Sequence, residues 1–496
     1  MRHHTLFIMD GPLNTLDLET SFRSLENFGH SLRAASYVVR PTHAEEIPEV
    51  FTLARRQGLS VTARGAGLSY NDAALNGGGI VLDLTGINRI IDWNPATGEL
   101  LVEPGVTLRQ LWQLVEPDGW WPPVVSGTML TTVGGCLGAN VHGKNNFKLG
   151  PIGEHVVEFR AVLPSGEEVL CSPKKNADLF YAMIGGFGML GIFTAIKLQM
   201  KRIHSGLLEV SARPVANLHD HLANLREHSP TADYIVGWLD GTVGGRVLGR
   251  GQIHVARLLH EGEDPDPSRS MQLRNQVLPP RIFGILPKSK LHLFMRPFMN
   301  NLGTSAVNAG KYAASLRRHT FRQSHAAFHF LFDYVPDWER AYGRGGLIQY
   351  QSFLPKERAE EAWSEMISLS LRRGLPSYLG VTKRHRPDKF LFSHALDGFS
   401  AAMDFKITNR NRPRLSQLLQ EFDRIVLEAG GRFYFAKNSE TLPQTAAHFL
   451  GPKAIAEFRR LKQRCDPNGV LESNLYRRVF APEVRGGGQW TAMMSS

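Results

Sequence analysis

The chain is poor in cysteine: Cys136, Cys171 and Cys465 stand at long, irregular spacings in 496 residues. That excludes a disulfide scaffold and any CxxC-based zinc or iron–sulfur framework, and a reducing compartment with no metal site is the plain reading. No apolar run approaches the ~18 residues that a membrane-spanning helix needs. The first residues, MRHHTLFIMDGPLNTLDLET, offer a short apolar stretch from Leu6 to Met9 before acids appear, which is not a signal peptide. Charged residues make up 21 % of the chain and hydrophobic residues 42 %, with 48 glycines and 28 prolines, so global disorder is excluded. A chain of this length exceeds one ordinary core, and two domains are expected.

What is present in excess is positive charge, +11 net. Nucleic acid would want a basic patch interleaved with aromatics on a recognisable module, and none is visible. The densest basic part runs from Arg250 to Arg322, where only Glu261, Glu263, Asp264 and Asp266 oppose it. A solvated surface and a cap facing a membrane or a phosphate both fit such a run. Cytoplasmic residence is expected from the reducing compartment, and peripheral contact on the inner face of the membrane goes with the second reading of the basic run.

Strand and helix signals alternate in the first half. SYVVR (36–40) reads as a strand ending at Pro41; Thr42 and Glu45 then form a capping box for a helix closing near Gly58. SVTAR (60–64) and GIVLDL (79–84) are further strands, and Thr107 with Gln110 caps a helix closed by Gly119. Residues 156–172 form a hairpin turned at Pro164, Ser165 and Gly166, and 192–200 alternate as an edge or half-buried strand. Past 204, strands are expected at 347–354, 400–407 and 432–438, with amphipathic helices at 357–373 and 413–429. The fold class is α+β. Its parts are an N-terminal segment (1–29), a first domain (30–203), a second (204–480) and a disordered tail (481–496).

Three glycine clusters carry the chemistry. Gly186–Phe187–Gly188–Met189–Leu190–Gly191 matches G-x-G-x-x-G, but it follows a helix and leads into a strand, the reverse of a dinucleotide fingerprint. Ala63–Arg64–Gly65–Ala66–Gly67–Leu68–Ser69–Tyr70 follows a strand directly, and its successive backbone N–H groups can form an anion nest. Ser126–Gly127–Thr128, then Thr132–Val133–Gly134–Gly135, then Cys136–Leu137–Gly138–Ala139–Asn140–Val141–His142–Gly143–Lys144 could hold a second stretch of the same phosphate-bearing ligand.

The order R-G-x-G-x-S-Y, S-G-T…T-x-G-G, H-G-K-N and G-G-x-G-x-x-G-I resembles the FAD domain of the vanillyl-alcohol-oxidase (PCMH-type) flavoprotein superfamily. Within it, the motifs Val141–His142–Gly143–Lys144–Asn145, Arg340–Ala341–Tyr342–Gly343 with Gln349–Tyr350–Gln351, Met403–Asp404–Phe405 and Tyr434–Phe435–Ala436–Lys437 resemble the decaprenylphosphoryl-ribose oxidase family in order. Asn27–Phe28–Gly29 is similar to that family's tryptophan–glycine segment.

The resemblance implies a two-subdomain FAD domain and a substrate or cap domain built on an antiparallel sheet with flanking helices. It implies that FAD is wrapped by Ala63–Asn71, Gly127, Thr128, Thr132–Gly135, Ala139–Gly143, Gly191, Ile192 and Tyr434. Covalent members often carry a histidine beside the position of Ser69; Leu68, Tyr70 and Asn71 stand there, so FAD is expected to be held without a covalent bond. It further implies a cysteine two residues before Asp404, where this chain has Ala402, so a reagent directed at that thiol should fail.

Oxidation of a secondary alcohol by FAD needs a base, a positive group near the flavin and close approach of the carbon. Lys437, His142 and Tyr70 are the candidate catalytic residues; Lys144, Gln349, Gln351, Lys383, Ala402 and Asp404 are candidate substrate contacts. Gln349 and Gln351 alternate along one strand and share a face.

Several readings stay open. One is oxidation of a polyprenyl-phosphate-linked pentose at C2, with an NAD(P)-dependent keto-sugar reductase as partner. Another is an FAD oxidase of free sugars, alditols or aldonolactones; others are a sterol or isoprenoid flavin reductase, or a degenerate flavin-fold protein.

Overall fold

The computed structural model describes residues 21–282, 286–317 and 319–481. The first twenty residues and the stretch after 481, read above as an N-terminal segment without a leader and a disordered tail, lie outside the described residues.

Two small sheets build the first half. In the four-stranded sheet, Phe22–Glu26 pairs antiparallel with Arg33–Val39, which lies parallel to Ile80–Asp83 and, beyond it, Val61–Arg64. The helix Ile47–Gln57 buries Ile47, Val50, Phe51 and Ala54 against this sheet and ends at Gly58 in the left-handed region. Its capping box begins one residue later than the sequence suggests. The Glu46 carboxylate, not Glu45, accepts from the N–H of Thr42 (3.1 Å) and His43 (2.8 Å), because a 3-10 turn at Ala44–Glu46 precedes Pro48 in the first helical turn. The Thr107–Gln110 box forms as expected (2.9 and 3.3 Å).

The five-stranded sheet is antiparallel, in the order Ile90–Asn94, Glu99–Val102, Ile192–Gln199, Val156–Val162, Glu168–Cys171. The strand Ile192–Gln199 is therefore central, not an edge. Its polar Lys197 survives there because Glu99 on the neighbouring strand takes its ammonium at 3.0 Å.

The second half rests on an antiparallel eight-stranded sheet, in the order His319–Ser324, Leu207–Val215, Gly251–Leu258, Tyr234–Leu239, Leu379–His385, Gly398–Lys406, Leu347–Pro355, Arg432–Phe433. One face packs on the helices Ala359–Arg372 and Arg412–Glu428. Trp363 Nε1 donates to Ser352 Oγ (3.0 Å), and Tyr350 O–H donates to Asp423 (2.9 Å). The other face carries Gln349, Gln351, Ala402, Val381 and Lys383 and is turned to the cavity described below. After the long helix Pro443–Cys465, kinked at Gly451 and Pro452, the chain returns to the first sheet. Val61 N donates to Val470 O (2.7 Å), and Arg478 pairs with Asp72 (2.7 Å), so 466–480 belong spatially beside the first domain. Among the described residues no helix is long and apolar enough to cross a membrane. The whole is α+β, as the alternation of signals implies.

Candidate functional site: an electropositive cavity between the glycine loops and the large sheet

Both glycine loops face one cavity, floored by the eight-stranded sheet. Gly65, Ala66, Gly67, Leu68, Ser69 and Tyr70 line one side; Gly127, Thr128, Thr132, Gly134, Gly135 and Ala139 line another. Gly191 and Ile192, from the third glycine cluster, complete the wall, so this cluster serves the same cavity without being a nucleotide fingerprint. The N–H groups of Ala66–Ser69 and of Ser126–Thr128 donate to no acceptor among the described residues. Such consecutive free donors make an anion cradle. The loops are also too close for side chains: a Cβ on Gly65 would collide with Thr132 Oγ1, and one on Gly134 with Pro104. Thr132 is itself fixed as the N-cap of Val133–Gly138, accepting from Gly135 N–H at 3.2 Å.

Not every residue named from the sequence lies on the wall. Arg64 sits behind its loop, donating to Ala74 O (3.0 Å) and Glu26 O (3.1 Å), with its guanidinium over Gly67, whose φ of +71° only glycine adopts freely. Asn71, Val133, Asn140 and Gly143 are likewise absent from the cavity surface. The Asn71 and Asn140 amide oxygens are spent on the backbone N–H of Ala73 (3.1 Å) and Gly153 (3.1 Å), and Val133 is core. Asp404 shares the face of Ala402 but is roofed by Gln349, whose amide donates to it. Lys144 reaches the cavity, yet its ammonium donates to the carbonyls of Phe328 and His329. Burial holds it well below the ordinary lysine range.

Lys437 is not on a strand. The strand stops at Phe433, and Lys437 and Asn438 both donate their N–H to Tyr434 O (2.9 and 3.1 Å) in a turn. Tyr70 N–H donates to Ala436 O (3.0 Å), which ties that turn to the first glycine loop and brings Lys437 Nζ within 3.9 Å of the Tyr70 ring centroid. The alternation that would put Lys437, Phe435 and Phe433 on one face is thus broken by a tertiary tie. Burial pushes Lys437 down to about 7, Lys383 adds to the fall, and Asp404 opposes it. Burial pushes Lys383 down to about 8 and Asp404 up to about 7.

His142 lies on the cavity wall between two partners. The Gln351 amide is 3.1 Å from Nε2, and Lys383 Nζ is 3.4 Å from Nδ1. With the amide oxygen turned to Nε2–H, Gln351 Oε1 gains the partner it otherwise lacks, and Nδ1 is left to accept from the Lys383 ammonium. Burial first, then Lys383, keeps the ring uncharged. Behind it stand His385 and His394, with ring centroids at 4.9 and 5.2 Å.

Sequence reasoning missed His329, Leu331 and Phe332, which come from a stretch with no periodic signal, and Val381, which the period-2 alternation with Lys383 could have exposed. Cys136 stands in the second glycine cluster, where the sequence assigns its thiol no role. This thiol lines the cavity although Ala402 does not supply one, but burial pushes it up to about 12 and keeps it un-ionised.

Paired anion cradles, a wall too tight for side chains and a basic floor fit an FAD-binding oxidoreductase of the PCMH type, and the similar proteins that follow put it among those acting on CH–OH groups. An FAD binding domain family matches residues 35–172. The decaprenylphosphoryl-beta-D-ribose oxidase of Mycolicibacterium smegmatis is 31 % identical over 471 residues, 94 % of this chain and 99 % of that protein. The L-gulonolactone oxidase of Mus musculus is 23 % identical over 89 % of this chain and 94 % of its own length. A D-lactate dehydrogenase of Anaerostipes hadrus is 29 % identical over 40 % of this chain and 44 % of that protein. The chain belongs to the decaprenylphosphoryl-beta-D-ribose oxidase family.

FAD is the cofactor, and the free N–H groups of both loops fit its pyrophosphate. No histidine stands beside Ser69. Acid precipitation of the yellow protein is therefore expected to leave the flavin in the supernatant; colour retained in the pellet would overturn the non-covalent reading.

Proposed function

We propose that the protein oxidises the C2 hydroxyl of a pentose carried on a polyprenyl phosphate. The observation that carries this reading is the floor of the cavity, where Gln349 and Gln351 lie on one face beside Lys383 and Lys437. Amides suit sugar hydroxyls, while two buried amines suit a substrate bearing an anion. The bound FAD would supply the hydride acceptor.

The chain's own residues divide the remaining work. Gln349, held by Asp404, and Gln351, held by His142, present fixed amides to the sugar. Lys437, with its Nζ pushed down to about 7, exists in part as a neutral amine near neutrality, so it can accept the hydroxyl proton. The proton then resides on Nζ, and the ammonium so formed supplies positive charge where negative charge develops. His142 has both ring nitrogens engaged and acts by holding Lys383 and Gln351. Tyr70 stacks under Lys437, and burial keeps its hydroxyl un-ionised.

The coverage of the L-gulonolactone oxidase supports a second reading, oxidation of a free aldonolactone. Anaerobic mixing separates the two. Loss of the flavin band near 450 nm is expected with a polyprenylphosphoryl pentose and not with free lactones or alditols. Bleaching by the lactone alone would replace the first reading with the second.

A further inference from the structure

The helix Asn301–Ser315 is packed inside out. The residues it buries are polar: Thr304 donates to Phe298 O (3.1 Å), Asn308 to Asp240 (3.0 Å), and Ser315 to Tyr312 O (2.7 Å). What it turns to solvent is apolar, led by Leu302 at 82 % exposure and Val307 at 51 %. Its one charge, Lys311, folds back with Nζ 4.0 Å from the Trp238 ring centroid. The short helix before it, Leu291–Met295, exposes Leu293 and Phe294 (58 %), and Phe298 follows on the connecting turn. An ordinary surface helix shows the opposite distribution.

The segment that builds this surface is also one-signed, and the acid beside the turn it packs on, Asp337, is held by Arg340 at 3.6 Å. Between Asp266 and Asp333 the sequence contains no acid and ten lysines and arginines. Of these, Lys290, Arg296 and Arg317 are exposed beside the apolar side chains. Nine of the fourteen large apolar side chains exposed among the described residues fall in the same interval. The surface adjoins the cavity: Met295 and Met299 pack in one cluster with Tyr70 and Phe332, both of which line it.

We infer that the face formed by Leu293, Phe294, Phe298, Leu302 and Val307, rimmed by Lys290, Arg296 and Arg317, docks on an anionic phospholipid bilayer. Protruding apolar side chains with a basic rim are what the interfacial region of such a membrane accepts. A second copy of the chain is disfavoured by charge, since a two-fold contact here would set the like-charged Lys290, Arg296 and Arg317 rims against each other, with no acid from the same segment between them. The inference rests on these residues alone and stands whether or not the lipid-linked sugar is the substrate.

Sedimentation of the FAD-loaded protein with vesicles tests it. Binding to phosphatidylglycerol/phosphatidylcholine vesicles is expected, at least about tenfold weaker to pure phosphatidylcholine, and weakened by salt. The double variant Phe294→Glu/Leu302→Glu should lose at least about tenfold in binding. The control Ile90→Glu/Ile91→Glu, which alters exposed apolar residues elsewhere, should bind as the parent does. Lys290→Glu/Arg296→Glu gives an independent variant should the first fail to fold, which its flavin content reports. Equal binding to both vesicle types, no binding, or undiminished binding by the folded variants would overturn the proposal. So would a dimer in sedimentation velocity that Phe294→Glu/Leu302→Glu abolishes, which would give the face to a second copy. Flavin bleaching by substrate in detergent does not use these side chains, so the membrane proposal and the substrate reading fail separately.

Discussion

Lys437→Met is expected to lower kcat by roughly a hundred- to ten-thousandfold, the usual contribution of a positioned acid–base group, while FAD content stays at parent level. Methionine keeps the length and the contact with Tyr70 but cannot take a proton. The pH profile carries the sharper information. If the neutral amine is the acceptor, kcat/KM of the parent rises through about pH 7 and then levels, because that is where burial has moved Nζ. The variant should lack that limb.

Asp404 gives the companion result. Its buried carboxylate is the negative charge that raises Lys437, and the two titrate as a pair. Asp404→Asn removes that charge and should move the limb to lower pH. A Lys437→Met enzyme that keeps the limb would take Lys437 out of proton transfer. An unmoved limb in Asp404→Asn would leave Asp404 only its hydrogen bond from Gln349.

The second large effect comes from a residue that does not line the cavity. Glu116, just past the helix Leu108–Val115, is fully buried, and neither carboxylate oxygen has a hydrogen-bond partner among the described residues. Burial pushes it from 4.5 up to about 9. A pKa raised by folding means that the native state holds a proton the unfolded chain releases. The stability it contributes is therefore whole below about pH 4.5 and is lost as pH climbs toward about 9. Between about pH 5.5 and 8 this amounts to roughly 3 kcal/mol. Glu116→Gln has nearly the same shape and no titration, so its thermal midpoint should gain on the parent's as pH rises. A difference between the two proteins that stays constant with pH would refute this account.

Much of this protein could be read without its structure. The two glycine loops, the strand-to-loop order that rejects a Rossmann site at Gly186–Gly191, the shared face of Gln349 and Gln351, and the Thr107 capping box are local patterns. Each is fixed by residues a few positions apart, because backbone nests, caps and pleats have short periods. The fold class follows from the same local signals, and the cofactor from the resemblance of these motifs to PCMH-type flavoproteins.

Tertiary structure decided the rest. Lys437 leaves its strand because Tyr70 claims Ala436 O, and Ile192–Gln199 is central because Glu99–Val102 and Val156–Val162 pair along its two edges. The Gln351 amide comes within reach of His142 only because the large sheet closes on the second glycine loop, across a sequence separation of 209. The unmatched burial of Glu116 and the inverted helix Asn301–Ser315 also leave no period in the sequence that names their neighbours. Local chemistry determined that this chain can hold a phosphate-bearing ligand. Which side chains meet around it depended on sheet order, which no short-range pattern encodes.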